Sequence, residues 1–355
     1  MSDNHQQLAD AWESFTNSLK TMGHDVLAQA PSDAERVDGL RFILRQLAYR
    51  EEQFLEFPAG YGAELFRPES PTRKVFADCP DTIYWQFSVA KGGRYRISGA
   101  RGESPYISFT AYRAGIEDRV VADLHDGELA IDDDGTFELM VGGPEPGGNH
   151  LDLGDDAAFV IIREYTHDRV HGVKASFEVE QLSPEPSHRP EPDADHLTGV
   201  LGLLGMGLGF VNNATVNLSE ELRLRPNQMN EAAAELVSEM AGTPHNHYQL
   251  CYVQLSPGEA LELEITPPDC RYWSVHLNNY WLESPEFRDG QSVCINDSQA
   301  IRESDGSVRM FVGPDDPGDA VNWLDTKGRT ETILLARYLL PEADLPPIIT
   351  NVVSA

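Results

Sequence analysis

Cysteine is scarce and dispersed in this chain: Cys79, Cys251, Cys270 and Cys294 stand far apart, with no C-x-x-C pair among them. That spacing argues against a disulfide framework or a zinc knuckle, so the expectation is four reduced thiols and no metal held by cysteine. Basic residues are few as well, 27 Lys and Arg against 58 Asp and Glu, for a formal charge of −31. A field of that sign repels nucleic acid and anionic membrane, so neither is an expected partner, and the same surplus keeps a protein in solution. Long apolar runs are missing. The richest stretch, residues 197–211, is fifteen residues broken by five glycines, too short to span a bilayer, and reads as a tightly packed helix or loop. The opening Met-Ser-Asp-Asn-His-Gln-Gln has neither the basic nor the apolar segment of a secretory signal, which makes a cytoplasmic location the expectation.

Signatures of familiar chemistry are also absent. There is no G-x-S-x-G elbow and no phosphate loop ending in Gly-Lys-Ser/Thr. The glycines at 199, 202, 205, 207 and 209 never form G-x-G-x-x-G after a strand, and close helix packing is the reading given to them.

What is present is periodicity. Leu8, Trp12, Phe15, Leu19 and Met22 recur at helical spacing up to Gly23, which is expected to stop the helix. Ser32-x-x-Glu35 then forms a capping-box pattern ahead of an apolar stripe of Val37, Leu40, Ile43, Leu44 and Leu47. From Ile83 the period becomes two: Ile83, Trp85, Phe87 and Val89 alternate with polar neighbours, and Gly92-Gly93 turns the chain into Arg94-Tyr95-Arg96-Ile97. Similar runs continue through 106–112, 137–141 and 159–165, as in a sandwich or jelly roll. A proline-rich, acidic segment over 182–195 reads as a linker, helical pattern returns over 227–240, and β pattern resumes at Tyr248.

The strongest observation is an internal repeat. Asp134-Gly135, Val141-Gly142 and Pro146-Gly147 match Asp305-Gly306, Val312-Gly313 and Pro317-Gly318 at one separation of 171 (134 to 305, 141 to 312, 146 to 317). Asn149-His150-Leu151-Asp152 and Tyr165 match Asn322-Trp323-Leu324-Asp325 and Tyr338 at 173, and Tyr106-Ile107-Ser108-Phe109 matches Tyr272-Trp273-Ser274-Val275 at 166. The expected architecture is mainly β with helical additions: two tandem antiparallel β-sandwich, jelly-roll-like units. Its segments are an N-terminal helical part (1–70), a first sandwich (71–181), a proline-rich linker and helical inter-domain segment (182–245) and a second sandwich (246–355).

The second repeat resembles a known family. Pro257-Gly258-Glu259-Ala260-Leu261, Pro267-Pro268-Asp269-Cys270-Arg271-Tyr272-Trp273-Ser274, Asp305-Gly306, Asp316-Pro317-Gly318 and Asn322-Trp323-Leu324-Asp325 together look like the bacterial domain-of-unknown-function family numbered twelve-fourteen. Asp78-Cys79-Pro80-Asp81-Thr82-Ile83-Tyr84 and Tyr95-Arg96-Ile97-Ser98-Gly99 resemble, more loosely, the N-terminal part of its full-length members. The resemblance implies a jelly-roll-like sandwich and carries no established reaction.

Alternation places Tyr272, Ser274, His276, Asn278 and Tyr280 on one face of a strand, a set able to donate, accept and stack, with Trp281 beside it. The leading expectation is a small amphipathic or ring-containing metabolite bound by this set in the C-terminal sandwich, with no cofactor. One alternative is a metabolic enzyme with His276 as general acid or base, its imidazole being the usual proton shuttle near neutrality; another is a structural or assembly protein. Homo-oligomer formation is compatible with all three. A metal site of His245, His247 and His276, or calcium on Asp315, Asp316 and Asp319, is chemically permitted but not signalled by spacing, and no metal is assigned. Arg163 and Arg337, one position apart in the repeat alignment, are each expected to pair with a local carboxylate; gripping an anion is the sharper alternative.

Overall fold

The computed structural model describes residues 3–114, 119–144, 147–185, 188–189, 191–230, 233–237, 244–286, 292–318 and 322–354. The first repeat supplies β1 (Thr82–Ser88), β2 (Arg94–Ala100), β3 (Tyr106–Arg113), β4 (Val120–His125), β5 (Thr136–Val141), β6 (His150–Leu151), β7 (Ala157–Tyr165) and β8 (Ser176–Ser183). The second supplies β9 (Asn246–Gln254), β10 (Glu259–Ile265), β11 (Tyr272–Asn278), β12 (Cys294–Asn296), β13 (Val308–Gly313), β14 (Asn322–Asp325), β15 (Glu331–Leu339) and β16 (Ile349–Ser354). They form four sheets of four strands, ordered β1-β7-β3-β4 and β6-β5-β2-β8 in one unit and β9-β15-β11-β12 and β14-β13-β10-β16 in the other. Adding eight to each label of the first unit reproduces the second, so the repeat is one of topology as well as of sequence. Each unit even keeps a single parallel pairing, β5 with β6 and β13 with β14, among antiparallel ladders.

The repeated turn residues hold the same positions for the same reasons. Gly135 and Gly306 take φ of 85° and 89°, which only glycine adopts without strain, and the preceding Asp134 and Asp305 accept from the backbone and hydroxyl of Thr136 and Ser307 respectively. Asn149 bridges Ala130 and Glu138 as Asn322 bridges Ile301 and Arg309, through three backbone hydrogen bonds each. Pro146 lies outside the described residues. In one respect the structure shifts the sequence alignment. Arg163 pairs with Ser108 and Arg337 with Ser274, so these arginines are equivalent at a separation of 174, and Tyr165 corresponds to Leu339 rather than to Tyr338. A slip of one residue reverses faces: Tyr338 points into its own sandwich core, whereas Tyr165 leaves the outer face of its sheet.

Each sandwich encloses its own core, one around Phe87, Ile97, Phe109, Leu139 and Ile162, the other around Leu263, Trp273, Val275, Val312 and Leu334. The outer faces of β1-β7-β3-β4 and β9-β15-β11-β12 turn toward each other, with Tyr106, Tyr165, Tyr272 and Leu339 packed where they meet. Helices α1 (Asp3–Gln29), α2 (Asp33–Glu51, prolonged by a π-helical turn Glu52–Glu56) and α3 (Ala194–Arg223) cover the rest, burying Val26, Phe42, Leu204 and Leu208 against Leu250, Ile333 and Leu335. Gly23 does not stop α1: an internal glycine costs about 1 kcal/mol, and the helix continues because Val26 is wholly buried beside Trp281. Ser32 does cap α2, accepting from the Glu35 backbone at 3.2 Å. The stripe α2 buries is the expected one only in part, at Ile43 and Leu47. Val37 and Leu44 are exposed, while Glu35, Asp38, Gly39, Phe42 and Gln46 face inward, because Arg329 takes both carboxylates and Trp281 packs where Gly39 leaves no Cβ. Of the helical pattern over 227–240, residues 233–237 are helical and parts of the remainder lie outside the described residues.

The glycines of α3 also depart from expectation. By length and composition α3 could cross a membrane, yet here one side of it packs on α1, α2 and β9. A Cβ added to Gly199, Gly202 or Gly209 would meet nothing within 4 Å, so close helix packing does not explain them; Gly207 alone is crowded, 3.2 Å from Arg50 Nε. Gly199→Ala and Gly202→Ala are therefore expected to stabilise the protein by about 0.5–1 kcal/mol each, read from urea unfolding midpoints. A loss of stability would show that these positions pack against something.

Candidate functional site

Tyr272, Ser274, His276 and Asn278 do share one face of β11, but that face is neither a solvated surface nor a cleft. Every residue of the strand is buried, because segment 77–81 and Tyr165 of the first unit lie across it. Tyr272 donates to Asp81 Oδ2 at 2.8 Å, Ser274 Oγ lies 3.9 Å from Cys79 Sγ, and among the described residues neither ring nitrogen of His276 nor either amide atom of Asn278 has an oxygen or nitrogen partner. Tyr280 and Trp281 have left the strand for a turn that faces the helices: Tyr280 donates to Glu220 at 2.7 Å, and Trp281 donates to the Glu35 carbonyl at 2.8 Å and stacks on Phe42. An indole so placed withdraws on the order of 200 Å2 from water, about 5 kcal/mol of burial, which makes Trp281 a core residue. His276 is thus enclosed between the two units and is not among the residues that line the cavity.

The three-histidine constellation does not form. His245 turns to Asp123 (2.9 Å) and stacks edge-on with His125, while His247, two residues on, points to the exposed side. Asp316 caps its own turn by accepting from Gly318, and Asp319 lies outside the described residues.

The cavity opens farther along the same pair of outer sheet faces. A space of about 130 Å3 lies between β1, β3 and β7 on one side and β9 and β15 on the other, under α2 and α3. Its polar walls are Gln46, Tyr49, Tyr84, Tyr112, Tyr248 and Asn246, and its charges are Arg50, Arg119, Arg163 and Arg337; none of the described lining residues is Asp, Glu, His or Cys. The pairing of Arg163 and Arg337 with carboxylates expected from sequence does not occur among the described residues. Arg163, buried, donates to Thr110 Oγ1 at 3.0 Å and to the Tyr112 hydroxyl at 2.8 Å. Arg337, equally buried, donates to the Tyr165 hydroxyl and the Ala77 carbonyl, both at 3.3 Å, and its Nε has no partner. Burial works against the charge on Arg163, but the oxygens of Tyr112 and Tyr84 more than offset it, and the group stays cationic. Burial pushes the Tyr248 hydroxyl up to about 12, so it remains a neutral donor at physiological pH.

Beside this cavity runs a wider groove of about 900 Å3 that shares Arg50, Arg119, Phe159 and Phe210 with it. Its remaining walls are mostly apolar, among them Phe54, Val89, Ala158, Leu203 and Met206. The repeat thus delivers two equivalent guanidiniums to one buried chamber, and the helices add an apolar approach to it.

Residues 254–343 match the family described as a protein of unknown function, DUF1214. This part of the chain is similar to that family. A solved structure of an uncharacterized protein from Burkholderia cenocepacia is 28% identical over 99% of both chains, with a TM-score of 0.90, so the whole arrangement of helices and paired sandwiches recurs there. The VPA0106 protein from Vibrio parahaemolyticus is 12% identical over 87% of this chain and 96% of its own, with a TM-score of 0.50, a likeness of fold alone. No curated protein matches. The matched segment contributes Arg337 to the chamber and His276 and Cys294 beside it, whereas Arg163, Tyr84, Tyr112, Tyr248 and Cys79 lie outside the matched residues. Sequence reasoning missed Arg50, Arg119, Tyr84 and Tyr248, since nothing in their local patterns separates them from ordinary surface or sheet residues; the repeat did point to Arg163 and Arg337.

Proposed function

We propose that this protein binds a small amphipathic monoanion, a carboxylate on a ring or short chain, in the chamber between its two sandwiches. This keeps the chemistry expected from sequence and moves the site from the C-terminal sandwich to the junction of both. The observation behind it is the pair of buried guanidiniums, Arg163 and Arg337, which no carboxylate among the described residues contacts directly, in a chain whose formal charge is −31. A buried charge costs several kcal/mol unless a counter-charge meets it, and a bound carboxylate supplies one through short charge-assisted hydrogen bonds. The chamber has room for a head group, and the apolar groove takes the ring or chain. Among the described residues the lining is rich in donors and holds no Asp, Glu, His or Cys, which suits holding an anion better than moving protons, so binding is favoured over acid-base catalysis.

The test is calorimetric titration of the full chain with benzoate and octanoate against benzyl alcohol and octanol. The carboxylates should bind about 30-fold more tightly, about 2 kcal/mol for charge-assisted contacts. Equal affinity for acid and alcohol, or binding of neither acid, would remove the reading.

A further inference from the structure

Two cysteines 215 positions apart, Cys79 and Cys294, meet at His276, a grouping that the scattered spacing of the cysteines did not signal. We propose that Cys79, His276 and Cys294 hold a thiophilic transition metal ion, zinc by preference, at the seam between the two units. One donor atom from each residue lies within 4.8 Å of the others, close enough for an ion placed among them to draw all three to bonding distance with small side-chain shifts.

The state of His276 singles this cluster out. The ring is wholly buried, and among the described residues neither Nδ1 nor Nε2 reaches an oxygen or nitrogen partner; what it faces is the Cys79 thiol. Buried imidazoles are normally satisfied at one nitrogen at least, and an unsatisfied one aimed at two thiols is what a ligand set looks like before its ion is counted. His276 and Cys294 are directly cross-strand on β11 and β12, so the sheet fixes two donors, and Cys79 comes down from the loop before β1, tied by the bond from the Thr82 backbone to its carbonyl. Asp81 closes the remaining side. Its Oδ2 lies 3.4 Å from Cys294 Sγ and is held by the Tyr272 hydroxyl and the Asn296 amide, both at 2.8 Å. Two sulfurs and an imidazole select soft or borderline ions over magnesium or calcium. Two thiolates would neutralise a divalent ion, as burial demands.

The position also gives the ion a consequence. Ala77, two residues before Cys79, accepts from Arg337, so a metal pinning this loop to β11 would also fix the guanidinium that faces the chamber. The inference stands without the anion-binding reading, since it uses none of the chamber's residues as ligands.

The probe is Co(II). Chelator-treated, reduced full-length protein titrated with Co(II) should take up about one ion per chain and develop thiolate-to-cobalt charge-transfer absorption that Zn(II) then abolishes. Cys79→Ser/Cys294→Ser should lose that absorption entirely while melting cooperatively. His276→Ala is a supporting variant, but the double serine change decides if the alanine variant does not fold. No charge-transfer band from protein with free thiols, an undiminished band in the double variant, or isolation of a Cys79–Cys294 disulfide from reducing buffer in place of metal uptake would each overturn the proposal.

Discussion

Arg163→Met is expected to weaken carboxylate binding by about 100-fold, close to 3 kcal/mol, and at the same time to raise the unfolding midpoint. The two effects have one cause. Arg163 is buried with the hydroxyls of Thr110 and Tyr112 as its partners, and the carboxylate of Asp123 reaches it only through Thr110 while pairing with His245, so among the described residues the desolvated charge has no direct counter-ion. Replacing such a charge with an apolar side chain of similar volume removes the penalty, whereas the ligand loses the group that repays it. Arg337→Met should weaken binding similarly but stabilise less, because it also frees the Ala77 carbonyl. Arg163→Lys should not restore affinity, since an ammonium cannot present two parallel donors to a carboxylate. Calorimetry and urea melts on the same preparations check both signs. A variant that is less stable yet binds as before would make Arg163 a structural residue and leave the chamber without its anion grip.

Much of the fold was legible in the sequence because turns and alternation are local. Asp134-Gly135 and Asp305-Gly306 announce tight turns through glycine's access to positive φ, and the period-two runs announce strands; together they sufficed for two equivalent sandwiches. What escaped depended on what covers what. Alternation assigned Tyr272, Ser274, His276 and Asn278 to one face correctly, but whether that face meets water, a ligand or segment 77–81 is decided by residues nearly two hundred positions away. Cys79 and Cys294 illustrate the same limit, since linear spacing reports on metal sites only when the ligands share one local element. The buried face of α2 was legible only in part because Glu35 and Asp38 go inward to meet Arg329, which no hydrophobic periodicity anticipates. Arg163 and Arg337 were visible as a repeat-related pair, and their lack of carboxylates emerges only once both sheets face one chamber.

Stability should fall as pH rises from about 5.5 to about 8.5, by several kcal/mol, the reverse of a protein held by exposed carboxylate ion pairs. Two carboxyls at the helix–sandwich junction set the direction. Burial raises Glu283 to about 8, against the pull of Arg45 at 2.9 Å and with the push of Asp78. Burial likewise raises Glu35 to about 7, with Arg329 opposing and Asp38 reinforcing. Both folded values exceed the ordinary 4.5, so between 4.5 and 8 the folded state binds more protons than the unfolded one, and each proton lost with rising pH costs stability. Their contribution is complete below 4.5 and gone once pH has passed about 8. The net charge of −31 works in the same direction through repulsion, but that part is screened by salt, whereas two buried carboxyls are not. Urea melts in about 0.5 M salt, where the Debye length is only a few ångströms, therefore isolate the buried groups. Glu283→Gln, which keeps the shape and cannot ionise, should flatten the upper part of the slope, between about pH 6.5 and 8.5. A slope unchanged in that variant would place the proton uptake elsewhere, and a stability that rises toward pH 8 would mean that Arg45 and Arg329 hold both carboxylates ionised.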